Sequence, residues 1–146
     1  MSAGRGVSCA LALAGVRPTA QRRVIWQAIS AAAPAHVCAE DLYHDLRHAG
    51  AQASLATVYN TLRAFEEAGL LRRVSTASGR IWFDTDTADH QHFYIPDEER
   101  IVDIAGPRIR LSDLPEPPQG YKVARVDLLI ELERDPAQDY VKKVTR

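Results

Sequence analysis

His90, Gln91 and His92 set two imidazoles two residues apart. On an extended strand residues i and i+2 point to the same face, so both rings could meet one metal ion. The chain holds one more histidine and two carboxylates at positions that could complete a shell. Alone, a His-x-His pair is a weak signal that fits two surface histidines as well. His44 and His48 stand four apart, a helical spacing that can also bind metal. Their helix offers no obvious third ligand, and they read as a solvated or dimer-exposed face.

The elements that must position such a pair follow from periodicity. Residues 8–14 suggest a short helix. Pro18 and Thr19 open a stronger one, because Thr suits an N-cap and Pro is tolerated at a helix entrance. Val24, Ile25, Ala28 and Ile29 recur at helical spacing to about Ala33. A further helix runs from about Ala39 to Ala49 and stops at Gly50, burying Leu42, Tyr43 and Leu46; Cys38 stands where a capping residue is expected. The clearest helix opens at Ser54, carries the stripe Leu55, Val58, Leu62 and Phe65, and ends at Gly69.

Leu70 to Ser75 and Arg80 to Thr85 then read as two strands around the turn at Ala77, Ser78 and Gly79. Three helices and a hairpin make a winged helix. Beyond it, Pro96 to Glu99 splits the strands His92 to Ile95 and Arg100 to Ile104. Leu114 to Gly120 is a Pro-rich linker or loop. Val126, Leu128, Ile130 and Leu132 alternate with Asp127, Glu131 and Glu133 as a half-buried strand. Residues 134–146 read as frayed or a short helix. The expected class is α+β, a winged helix-turn-helix domain over residues 1–87 and a small α/β domain over 88–146.

A chain of 146 residues has room for one ordinary domain or two small ones. Its 46% hydrophobic and 25% charged content is that of a soluble globular protein. Net charge is −1, which excludes a uniformly basic nucleic-acid coat, but the halves differ. Residues 1–82 hold 9 Lys/Arg against 5 Asp/Glu, net +4; residues 83–146 hold 9 against 14, net −5. The asymmetry fits a DNA-facing first half and an acidic second half able to hold a cation. The two cysteines, Cys9 and Cys38, form no Cys-x-x-Cys motif, so no zinc knuckle or disulfide framework is indicated. No stretch reaches the ~20 apolar residues that span a bilayer. The run Val7 to Val16 behind Arg5 is short for a signal peptide and flows into patterned sequence. A cytoplasmic protein without membrane attachment is expected.

Thr57, Asn60 and Ala64 lie opposite the apolar stripe of the Ser54 helix, with Tyr59 and Arg63 on its flanks. Asn can bond adenine edges and a Tyr ring can contact a thymine methyl, as a recognition helix requires. Arg17, Arg22, Arg23, Arg72, Arg73 and Arg80 could reach phosphates, which set register rather than sequence. Thr19 and Ser54, at the two helix entrances, join Arg17, Arg22, Thr57, Tyr59, Asn60 and Arg63 as candidate DNA contacts. A solvated face in a protein-binding winged helix would carry the same pattern.

The words narrow this. Arg17-Pro-Thr-Ala-Gln-Arg22, Ala39-Glu-Asp-Leu-Tyr43 and Ser54-Leu-Ala-Thr-Val-Tyr-Asn-Thr-Leu62 resemble the ferric uptake regulator family. The likeness continues through Glu67-Ala-Gly-Leu-Leu71, Phe83-Asp84 and the His-x-His, over roughly residues 15 to 133. The Ser54 helix, Val102-Asp-Ile104 and Gly120-Tyr-Lys-Val-Ala-Arg125 look most like its iron response regulator branch. The resemblance implies a homodimeric repressor of palindromic operators, with an α/β dimerisation domain, Tyr59 on a base and Asn60 on the operator-facing side. It also implies that His36, Asp84, His90, His92 and Asp103 form a regulatory metal site between domains. Three imidazoles and two carboxylates suit Fe(II), Mn(II) or Zn(II), and the absence of thiolate argues against a closed structural zinc site.

The chain departs from the family pattern too. The two Cys-x-x-Cys pairs of many members are missing. Asp89, Gln91 and Val126 replace ligands of a second sensing site. Cys9 and Cys38 are each followed by Ala, not by the Pro of a haem motif, and Gln91 interrupts the histidine run, so haem stays an open possibility through His90 and His92. The expected function is iron- or haem-linked control of transcription, with peroxide sensing through an iron-bound His/Asp shell as the alternative. Outside the family, a winged helix answering an organic ligand or a protein would bind regardless of chelators. A two-His-one-carboxylate oxygenase is disfavoured, since five ligands leave little room for substrate and oxygen. No enzyme is expected.

Overall fold

The computed structural model describes residues 3–107 and 109–137. They form two units, Met1–Ala88 and Asp89–Arg146.

Four helices and a three-stranded sheet build the first unit: α1 (Ala3–Leu13), α2 (Ala20–Ala32), β1 (His36–Val37), α3 (Ala39–His48), α4 (Leu55–Glu67), β2 (Arg72–Ser75) and β3 (Ile81–Asp84). Thr19 caps α2 by accepting from Arg22 N at 3.3 Å, and Ser54 caps α4 by accepting from Thr57 N at 3.1 Å. Cys38 lacks a capping bond, its side chain being wholly buried. Glu40 and Asp41 in the first turn of α3, with Arg47 and His48 in its last, suit the helix dipole instead. Gly50 takes φ +82° just past α3, a left-handed exit open to glycine at no steric cost.

The stripes converge as the periodicity requires. Ile25 and Ile29 of α2, Leu42 and Leu46 of α3, and Val58, Leu62 and Phe65 of α4 share one core with Phe83 of β3. Leu55, expected in the α4 stripe, is the first residue of the helix and is 42% exposed. The N-terminal helix begins at Ala3, not near residue 8, since Val7 and Leu11, one turn apart, both pack on this core.

The sheet order is β1-β3-β2, all antiparallel. Its β2–β3 hairpin is the expected wing, turned at Gly79 with φ +79°. Strand β1 was not expected, because two residues show no periodicity. It is fixed by pairing, His36 opposite Asp84 and Val37 opposite Phe83, and by bonds between Ala35 and Thr85.

In the second unit β4 (His92–Ile95) lies between β5 (Arg100–Asp103), antiparallel, and β6 (Leu129–Glu131), parallel. The Pro96–Glu98 patch forms a 3-10 turn joining β4 to β5. The expected strand from Val126 to Leu132 is shorter: β4 is only four residues long, so the parallel ladder ends after three pairs. Val126 is left outside it and exposed. Among the described residues of 104–128 there is no regular element, and residues 136–137 are helical. Most of the tail reading, residues 138–146, falls outside the described residues. No helix among the described residues is long and apolar enough to cross a membrane.

Candidate metal centre and nucleic-acid face

Each unit carries its own part of the expected ligand set. In the first, pairing of β1 with β3 sets His36 across from Asp84, with Nε2 to Oδ2 at 3.2 Å. Asp84 is 1% exposed, and its other oxygen accepts from Asp86 N at 2.8 Å. A carboxylate this buried must be compensated by positive charge or by donors. The pair offers one nitrogen and one oxygen donor on the sheet face away from the core.

In the second unit, His92 on β4 stands across from Asp103 on β5. His90 precedes the strand rather than lying in it, but the pairing extends as far as Gln91, whose carbonyl accepts from Ile104 N at 3.0 Å. The i, i+2 rule therefore holds. His90 Nε2 lies 3.2 Å and His92 Nε2 3.4 Å from the same Asp103 Oδ1, and the two rings are 4.4 Å apart. Two imidazole nitrogens and a carboxylate oxygen at these separations are donors a borderline divalent ion accepts. The residues present fit such an ion.

The thiols do not compete. Burial pushes the Cys38 thiol up to about 11, so at neutral pH it stays protonated and is a poor ligand. Cys9 is exposed on α1. Among the described residues His44 and His48 gather no third donor.

On α4, Asn60 and Arg63 are exposed and Thr57 and Tyr59 half-buried, while Val58, Thr61 and Leu62 face the core. Arg63 pairs at 3.5 Å with Glu67, one turn on. Ser54 and Thr19 serve as caps, and the Ser54 and Thr57 hydroxyls are 2.9 Å apart. Arg17, Arg22 and Arg23 gather at the entrance of α2. Arg22 donates to Arg17 O at 3.3 Å and Arg23 to Pro18 O at 3.1 Å. Neither α2 nor α4 has an acidic residue in its first turn, unlike α3. No acidic side chain of the first turn therefore offsets the dipole at either end.

The three arginines of the wing, read as able to reach phosphates, each have a partner within the chain. Arg72 donates to Ala88 O at 2.8 Å, Arg73 forks onto Glu66, and Arg80 meets Asp41 at 2.9 Å over the Trp82 ring. These partners were missed because they join elements far apart in type or sequence, and no periodic signal spans a helix and a strand.

A model of the ferric uptake regulator family matches residues 13–130. The peroxide operon regulator of Bacillus subtilis is 35% identical over 111 residues, covering 75% of this chain and 76% of that one. The ferric uptake regulation protein of Pseudomonas aeruginosa is 36% identical over 92 residues, covering 62% and 69%. Among solved structures, the ferric uptake regulator from Pseudomonas aeruginosa with manganese superposes with a TM-score of 0.65 at 27% identity, covering 87% of this chain and 96% of that chain.

Proposed function

We propose, because this chain belongs to the ferric uptake regulator family, that it is a metal-responsive transcriptional regulator of the cytoplasm that binds palindromic operators as a homodimer and controls iron or haem homeostasis genes. Members of this family are transcriptional regulators, not enzymes. The observation that carries the reading is the approach of His90 and His92 to one oxygen of Asp103. His36 and Asp84 supply a second pair of donors from the first unit. In this reading one divalent ion, Fe(II), Mn(II) or Zn(II), takes donors from both. A bound ion would supply fixed positive charge and directional bonds to imidazole and carboxylate. Residues 1–87 then serve as the DNA-binding domain and 88–146 as the dimerisation and metal-sensing domain. Fixing the angle between domains sets the spacing of two recognition helices, a state a ligand can bias.

Leu111, Leu114, Tyr121 and Val123 are exposed apolar side chains in the second unit. In this reading a second copy of the chain packs on the face of Val126, Leu128, Ile130 and Leu132, of which Val126 is exposed and the others half-buried, and the two-fold symmetry of the pair matches a palindrome. Similarity to the Bacillus subtilis peroxide operon regulator favours peroxide sensing as a second reading, in which iron held by the His/Asp shell would let peroxide oxidise one of the histidines, the peroxide being reduced to water.

The DNA-binding face is tested by two substitutions. Tyr59→Ala should weaken binding to the operator more than to scrambled DNA, since base contacts specify. Arg22→Ala should weaken both and lower the salt slope by about one unit, the loss of one phosphate contact. Equal losses on both duplexes for Tyr59→Ala would remove it from base reading.

A further inference from the structure

Neighbours along a strand face opposite sides of a sheet, and β2 opens with two arginines. Across the sheet one rung reads His36, Asp84, Arg72, and the next Val37, Phe83, Arg73. Val37 and Phe83 pack on the core, so the first rung belongs to the opposite face. Arg72 donates from Nη1 to Ala88 O at 2.8 Å, fastening the segment that leaves β3 just after Asp84. Within that segment Asp86 N bonds Asp84 at 2.8 Å and Ala88 N bonds Asp86 at 2.9 Å, so its shape and the Asp84 carboxylate are tied together.

Arg73 looks the other way. Its Nε and Nη2 donate to both oxygens of Glu66 at 3.0, 3.1 and 2.8 Å, in the last turn of α4. The Glu66 carboxylate raises the Arg73 guanidinium above its ordinary range, and Tyr59 acts in the same direction. A single exposed ion pair orders little. This one is a two-toothed fork with side chains 33% and 26% exposed, and it joins a helix to a strand.

We propose that Arg72 and Arg73 are positioning residues that tie the His36–Asp84 rung to the recognition helix. Arg72 holds the segment that shapes the metal-binding carboxylate. Arg73 holds Glu66 and, through it, the end of α4. Because they are consecutive on one short strand, a displacement of the rung is carried to the helix. The inference rests on the reading above, in which His36 and Asp84 bind metal and α4 reads DNA.

The test uses the full chain and Mn(II). Metal affinity is measured without DNA, and operator affinity with and without metal. Arg73→Gln and Glu66→Gln should keep Mn(II) affinity within about threefold while shrinking the metal-dependent change in operator affinity by about tenfold, a typical coupling. The double variant should be no worse than either single one, as for two members of one interaction. Arg73→Lys, which keeps charge but not the fork, should fall between. Arg72→Gln should instead lower Mn(II) affinity by about tenfold, as loss of a ligand-orienting group does. Near-UV circular dichroism confirms that each variant is folded. A full metal effect in both Arg73→Gln and Glu66→Gln, or additive losses in the double variant, overturns the proposal alone. A wild-type chain whose operator affinity ignores Mn(II) overturns the parent reading and this proposal with it.

Discussion

His92→Ala should lower affinity for Mn(II) or Fe(II) by more than the ~10–100-fold that follows loss of a group merely orienting a ligand. His92 is 4% exposed and its Nε2 lies 3.4 Å from Asp103 Oδ1, so its removal deletes a donor that solvent cannot replace in the same geometry. His90→Ala should do the same, because its Nε2 approaches the same oxygen at 3.2 Å. His44→Ala and His48→Ala, on the exposed side of α3, should leave affinity within about twofold, the scatter expected of distant and independent sites. Metal titration of the folded variants decides between them. His90→Ala binding as tightly as wild type would remove the pair from the site and leave a DNA-binding fold with another input.

The largest effect on stability is expected at Phe65. It is fully buried on α4, and Trp26 of α2 meets its ring edge-on at a centroid distance of 5.3 Å. Truncating a buried Phe to Ala removes transfer free energy and leaves a cavity, together ~3–5 kcal/mol. Phe65→Ala should therefore unfold at markedly lower urea, with the Trp26 emission shifting early. The change should also loosen the seat of α4, so operator binding should fall at temperatures where wild type is intact. A loss below about 1 kcal/mol would mean that α4 is held by its other contacts and that Phe65 is not its anchor.

The helices were legible because long amphipathic stripes carry their own period. Val58, Leu62 and Phe65 read as one face before any partner was known, and all three are fully buried. Caps gave their starts, since Thr19 and Ser54 each bond the amide three residues on. The short strands were less legible. His36 was legible as a candidate ligand by its residue type and by resemblance, but its pairing with Asp84 was not, because a two-residue strand exists solely through its partner β3. The alternation from Val126 to Leu132 overstates the final strand, because it says what a strand would bury, not how far its neighbour extends. Charge pairing was the least legible layer. Arg72, Arg73 and Arg80 look alike in the sequence, yet each meets a different partner set by the fold.

Operator binding by the purified wild-type chain, measured after chelation and again with saturating Mn(II), bears most directly on the regulator reading. The account predicts affinities that differ by about tenfold or more, within the usual range of coupling between two sites, and a difference abolished in His92→Ala. Equal affinities with and without metal, on a duplex the protein binds specifically, would contradict it.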